Sequence, residues 1–212
     1  DKWVQMMLDL GVKNQISCYS MVPWGNEFYY FDETENKEIK ITLSESYNYN
    51  FTVIWGDGNS ETFDGNISEI THEYDNSGVY DIAIETVEGG SFPFIKIDDP
   101  TSKISIVEIT QWGNIVWQSF TKSFRDCENL DITATDSPIL SNVEKMNEAF
   151  WGCNSLLNEN ESISNWDMSN VTDISYIFLD TKINIPLNWD LSNIERLTSV
   201  FEQTNFNQDI SD

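Results

Sequence analysis

Apolar residues in the C-terminal half of the chain recur at fixed offsets. Trp117, Phe120, Phe124 and Cys127 are followed by Val143, Met146, Phe150 and Cys153, then by Val171, Ile174, Phe178 and Thr181, then by Ile194, Leu197, Phe201 and Thr204. In every copy the anchors sit at 0, +3, +7 and +10, and successive copies start 26, 28 and 23 residues apart (143 − 117, 171 − 143, 194 − 171). One such unit cannot bury its own apolar face, so a repeat of this length predicts coils stacked into a solenoid. The offsets match a 3.6-residue period, which predicts a short helix in each copy with Val171, Ile174, Phe178 and Thr181 on its inner side. Ser169 and Asn170 suit its N-cap, and Asp173 falls in the first turn. Ser162–Asp167 between two copies predicts a strand, so each coil is expected to be one strand plus one helix.

The pattern upstream is different. Glu38–Leu43, Tyr49–Trp55 and Val79–Ile84 alternate apolar and polar residues, and the polar reversals Gly56-Asp57-Gly58-Asn59 and Asp75-Asn76-Ser77-Gly78 separate such runs. Short alternating runs with turn residues between them predict an antiparallel β-sandwich. In the first 24 residues Trp3, Val4, Met7 and Leu8 fall at helical spacing before Gly11, which predicts a short helix or a linker. Ile104–Ile109 opens the repeat region with one more strand-like run. The expected division is therefore 1–24 as an N-terminal segment, 25–103 as a β-sandwich and 104–212 as the solenoid of about four coils.

Two resemblances attach to these patterns. Trp55-Gly56-Asp57-Gly58, then His72-Glu73-Tyr74, then Gly78-Val79-Tyr80 resembles the polycystic kidney disease (PKD) type of Ig-like domain. The resemblance implies architectural roles for Trp55, Gly56, Asp57, Gly58, His72, Tyr74, Gly78 and Tyr80, and a spacer or presentation role for the module. Trp166-Asp167-Met168-Ser169-Asn170-Val171-Thr172-Asp173-Ile174 through Phe178, with Phe206-Asn207-Gln208-Asp209-Ile210-Ser211, is similar to the repeat of BspA-like leucine-rich-repeat bacterial surface proteins. It implies that Val143, Met146, Phe150, Val171, Ile174, Phe178, Ile194, Leu197 and Phe201 are structural anchors, and that the chain is extracellular, secreted or at a cell surface. Departures are Ile185-Pro186-Leu187 in place of the usual closing stretch and the shortening after Thr181 and Thr204. The sequence stops at Asp209-Ile210-Ser211-Asp212, where that motif would run on. The expectation is that the solenoid is incomplete there, with further repeats or another chain covering the end.

Charge and chemistry narrow the function. Eleven Lys and Arg against 36 Asp and Glu give a net charge of −25, which repels nucleic acid and anionic membrane surfaces. No apolar stretch is long enough to insert directly into a membrane. Cys127 and Cys153 share the phase that Thr181 and Thr204 fill, which favours a small buried slot, with a disulfide between adjacent coils as the alternative. His72 is the sole histidine, and the sequence offers no nucleophile elbow, phosphate loop or dinucleotide fingerprint. Acidic pairs such as Asp98/Asp99 and Glu159/Glu161 read as solvated surface rather than as a glycosidase pair. No cofactor is expected apart from weakly held extracellular calcium, for which Asp57, Asp98 and Asp99 are the nearest to suitable ligands.

The candidate ligand-binding residues are Trp166, Asp167, Trp189 and Asp190, which repeat in phase. Facing outward they would form an aromatic platform, and facing inward they would be core. The chain is thus expected to be a non-catalytic surface protein that adheres to, or binds, a protein or glycan on a host, matrix or neighbouring cell. The alternative is a structural component of a fibre, filament or virus-like particle that assembles through self-contacts.

Overall fold

Alternation of side chains decides the first half of the molecule. The computed structural model describes residues 26–31, 37–86 and 90–210. The helix expected within 1–24, and Cys18, lie outside them. In β2 (Glu38–Thr42) Ile39 and Ile41 are buried, in β3 (Tyr49–Ile54) Tyr49, Phe51 and Val53, and in β5 (Glu69–Glu73) Ile70 and His72. One face of each strand therefore enters the core. β1 (Asn26–Phe31), β3, β4 (Ser60–Gly65), β6 (Val79–Thr86), β7 (Ile106–Ile109) and β8 (Asp131–Ile132) form a sheet in the order β4-β3-β6-β1-β7-β8. Its pairs are antiparallel except β7 with β8. β2 and β5 make a separate antiparallel pair.

The position between residues 103 and 104 does not divide two cores. β7 pairs with β1 across it, and β8, on the same sheet, belongs to the first repeat. Phe92 meets Trp117 edge-on at 5.7 Å, and the N–H of Ile97 donates to the carbonyl of Ser123 at 2.9 Å. Between the two regions α1 (Pro100–Ser105) begins at Asp99, whose carboxylate accepts from the N–H groups of Thr101 and Ser102, with Pro100 in the first turn where its missing N–H costs nothing.

The repeats correct the sequence reading of their local structure. The segments carrying Val143–Cys153, Val171–Thr181 and Ile194–Thr204 are successive turns, not helices. The reason is a left-handed residue at +5 of every copy, Lys122, Glu148, Tyr176 and Ser199, and another at +9, Asp126, Gly152, Asp180 and Gln203. Their φ values lie between 51° and 76°, and an α-helix admits no such residue in its interior. Offsets of 3, 4 and 3 thus arise from three-residue turns, closed by bonds such as Ala149 N–H to Met146 O and Cys153 N–H to Phe150 O. Nor does Ser162–Asp167 form a strand. Ser162–Asn165 is a 3₁₀ turn, which brings Ile163 and Trp166, three residues apart, to the same interior.

What the turns lose in internal bonding they recover between coils. The N–H groups of Met146, Glu148, Phe150 and Gly152 donate to the carbonyls of Asp173, Ser175, Ile177 and Leu179 in the next coil, at 2.9–3.1 Å. Phe120, Lys122, Phe124 and Asp126 do the same toward the second coil, and Ile174, Tyr176, Phe178 and Asp180 toward the fourth. Inside this ladder Phe124, Phe150, Phe178 and Phe201 stack, with centroids 5.7, 6.1 and 6.2 Å apart.

Candidate ligand-binding surface

The Trp-Gly-Asp-Gly turn folds into an aromatic column. Trp55 stacks on His72 at 4.6 Å, His72 meets Tyr74 edge-on at 4.6 Å, and Tyr74 stacks on Tyr80 at 3.9 Å. The Tyr74 hydroxyl donates to the carbonyl of Trp55, the Trp55 indole to Glu61, and His72 Nε2 lies 2.9 Å from the Asp57 carboxylate. Burial alone would raise Asp57. The N–H of Asn59, His72 and the Asn59 amide outweigh it and hold that carboxyl below its ordinary range. Gly56 sits at φ +81°, and a Cβ there would lie 2.6 Å from the carbonyl oxygen of Asp81. Gly78 is less constrained, since its nearest neighbour is the Tyr80 ring at 3.5 Å. These groups are tied to one another and to the strand ends.

The carboxylates considered for calcium are engaged separately. Asp57 faces His72, Asp98 pairs with Lys96 at 2.7 Å, and Asp99 caps α1. Among the described residues no cluster of three or more His, Cys, Asp or Glu is placed to hold a metal ion.

Of the four residues singled out for ligand binding, the two indoles are inside. Trp166 is 2% exposed, edge-on to Trp112 at 5.5 Å, and Trp189 is 8% exposed, 5.8 Å from Phe178 with its N–H donated to the carbonyl of Ile163. A buried ring offers no face to a ligand, so the outward platform is corrected to core packing. Asp167 and Asp190 are exposed. Each accepts from the side chain and N–H of the serine two residues on, Ser169 and Ser192, which lowers its pKa. The anchors Val143, Met146, Phe150, Val171, Ile174 and Phe178 are buried. Ile194 and Phe201 are partly covered, and Leu197 is open to solvent.

The shared slot at +10 is a turn-closing position. Thr181 and Thr204 donate their hydroxyls to the carbonyls of Phe178 and Phe201, and Cys153 directs its thiol at the carbonyl of Phe124. Cys127 and Cys153 are free and buried, and desolvation pushes both thiols up, away from thiolate chemistry.

An aromatic surface does cross the coils, one that the anchor pattern hides. The Arg125 guanidinium lies 3.9 Å over the Trp151 ring, and Trp151 stacks on Tyr176 at 5.7 Å. Both rings are half-buried. Arg125 also bonds to Glu148, to which Lys122 comes within 3.5 Å. Arg125 and Trp151 share offset +8, while Lys122, Glu148 and Tyr176 share the left-handed position +5. This face sets two cations, each paired with a carboxylate of Glu148 or Asp126, beside two large rings. Also missed was Asn158, which is fully buried in a left-handed conformation. Its amide reaches the carbonyl of Ile132 at 2.7 Å, and its oxygen accepts from the N–H of Ile163.

Residues 118–212 match the family described as Mycoplasma protein of unknown function, DUF285. That match covers the four coils and a little under half of the chain, and it is compatible with a BspA-like surface protein. Residues 1–57 match the family described as Glycoside hydrolase 123, catalytic domain. No curated protein and no solved structure matches the chain. No helix among the described residues is long and apolar enough to cross a membrane.

Proposed function

We propose that the chain is a non-catalytic extracellular surface protein of the BspA-like kind. In this reading a PKD-type Ig-like region acts as spacer for a leucine-rich-repeat-like solenoid, and the solenoid binds a protein or glycan on a host, matrix or neighbouring cell. The observation that carries it is the coil stack itself. Its interior is filled by the repeat anchors, and what varies from coil to coil is the outer face with Arg125, Trp151 and Tyr176. The DUF285 match over the same residues supports it. Rigid aromatic rings beside an arginine are the composition that dominates binding energy at recognition surfaces. The test is a screen of glycans and matrix proteins against the whole chain and Trp151→Ala. A ligand found by the screen is expected to bind the variant about 30-fold more weakly, as for an anchor worth about 2 kcal/mol. Undiminished binding would move the site elsewhere.

The glycoside hydrolase match favours a second reading, in which the N-terminal residues derive from a glycan-active module. Release of sugar from chromogenic glycosides by the intact chain would establish it and overturn the non-catalytic proposal.

A further inference from the structure

The first and second coils show how this surface holds a guanidinium. Arg125 lies 3.9 Å over the Trp151 ring, bonds to Glu148 and comes within 3.6 Å of the Asp126 carboxylate. One ring and two carboxylates, drawn from adjacent coils, thus receive one arginine. Lys103 and Lys122 reach the same two carboxylates, at 3.2 and 3.5 Å. Both acids are answered by cations of the chain itself.

The third and fourth coils repeat these elements without the cation. Tyr176 stacks on Trp151 at 5.7 Å, is half-buried, and has no other ring against it among the described residues. On its far side the +5 row continues with Ser199, too small to cover a phenol. Asp180 repeats the +9 carboxylate of Asp126, and Glu202 stands exposed at +8, the row of Arg125 and Trp151. Main-chain bonds set the register, with Tyr176 N–H donated to the Thr198 carbonyl at 2.8 Å and Asp180 N–H to that of Glu202 at 2.9 Å. Neither Asp180 nor Glu202 enters an ion pair among the described residues. Arg196, the cation of the fourth coil, is engaged by Asp173 at 3.7 Å. The ring and Asp180 belong to the middle of the stack, with the second and fourth coils on either side.

We propose that the outer face at Tyr176, Asp180 and Glu202 binds an exposed arginine of a partner protein, the guanidinium stacked on the ring and its N–H groups donated to the two carboxylates. The first two coils supply the template, and charge selects the source. A net charge of −25 draws basic partners and repels acidic ones. A guanidinium suits the place better than an ammonium, because its plane stacks on a ring while its edge bonds carboxylates as a fork. The inference deepens the recognition surface proposed above by naming a basic protein segment as its ligand, and it rests on that reading.

The test titrates the whole chain by calorimetry in about 0.15 M salt, where the pull of distant charges is screened. The probes are three synthetic peptides that alternate glycine with arginine, lysine or citrulline, the last keeping the shape of arginine without its charge. The arginine peptide is expected to bind about tenfold more tightly than the citrulline peptide and about threefold more tightly than the lysine peptide. Tyr176→Ala, and Asp180→Asn combined with Glu202→Gln, should each weaken it about tenfold. Tyr176→Phe, which keeps the ring, and Glu45→Gln, an exposed carboxylate on the strand region, should leave it as it was. Asn tolerates the left-handed backbone of Asp180, so that change removes charge and spares the fold. Equal affinity for the arginine and lysine peptides, or indifference to Tyr176→Ala and to the paired charge removal, would mean attraction by net charge alone and overturn the proposal. A screened ligand that still depends on Trp151 would then leave the recognition surface standing, whereas one indifferent to Trp151 would remove it as well.

Discussion

The strand region and the coil region both bury apolar residues and hold them by opposite means. In the strands, main-chain bonds run between segments of extended backbone, and a side chain's face follows from its parity: Ile39 and Ile41 in, Lys40 out. In the coils, left-handed residues punctuate the backbone at +5 and +9, and a side chain's face follows from its place between two αL positions. The strand region therefore needs glycine where a positive φ coincides with close backbone, as at Gly56. The coils put Lys, Glu, Tyr and Ser at +5, where the side chain has solvent to enter. A left-handed residue is tolerated when a ladder of inter-coil bonds over-determines it.

The largest effect is expected where the two regions do not differ. Phe150→Ala removes a ring stacked between Phe124 and Phe178 and should cost about 3–5 kcal/mol. Because the core is continuous from Phe92 to Trp117 and on through the coils, the loss should appear as one cooperative denaturant transition for the described regions. Two separate transitions, only one of them shifted, would cut the molecule at the boundary the sequence suggests.

Next comes the contrast between glycines. Gly56→Ala forces a Cβ against the Asp81 main chain at positive φ and is expected to cost about 3 kcal/mol. Gly152→Asn places its Cβ 3.0 Å from a carboxylate oxygen and 3.3 Å from the Cα of Asp126, a looser fit than at Gly56, at a position where other coils carry Asp126, Asp180 and Gln203. It should cost about 1 kcal/mol or less. Equal losses, read by thermal or denaturant unfolding, would remove the distinction drawn here.

A smaller effect carries more information because its sign is at stake. Ser199 has φ +51°. Ser199→Gly relieves a left-handed residue and is expected to be neutral or to stabilise by about 0.5 kcal/mol. In the interior of a helix the same change would destabilise, by about 0.5 kcal/mol.

Acid and alkali probe the strand region. Asp57 titrates below its ordinary value in the fold, so its contribution is present above the unfolded carboxylate range and lost as pH falls through the depressed value. Asp57→Asn should therefore flatten the acid limb of the stability profile. At the other end, burial raises Tyr49 to about 12, so its contribution is full below the ordinary tyrosine value near 10 and is lost as pH rises through 12. A phenol absorbance titration should show a tyrosine ionising near 12, together with loss of structure.

These contrasts explain what was legible in the residues. Strands β2, β3 and β6 announce themselves by parity, and Gly56-Asp57-Gly58 by its turn chemistry. The four-fold repeat and its buried anchors were also readable, as was the small slot shared by Cys127, Cys153, Thr181 and Thr204. The backbone of the coils was not, because offsets of 3, 4 and 3 project equally well onto a helix face and onto a series of three-residue turns. Nothing about Lys122, Glu148, Tyr176 or Ser199 signals positive φ, which only the neighbouring coil enforces. The same ambiguity hid the orientation of Trp166. Parity from Ile163 sends its ring outward, whereas a 3₁₀ turn sends it in. Trp151 and Tyr176 were overlooked as surface for the complementary reason, since they fall between anchors.

The account stands on coils punctuated by left-handed residues, and backbone NMR of the whole chain tests that most directly. It predicts chemical shifts and couplings of isolated positive-φ residues at Lys122, Glu148, Tyr176 and Ser199, each within a non-helical run. Uninterrupted helical shifts across 143–153 and 171–181 would contradict it.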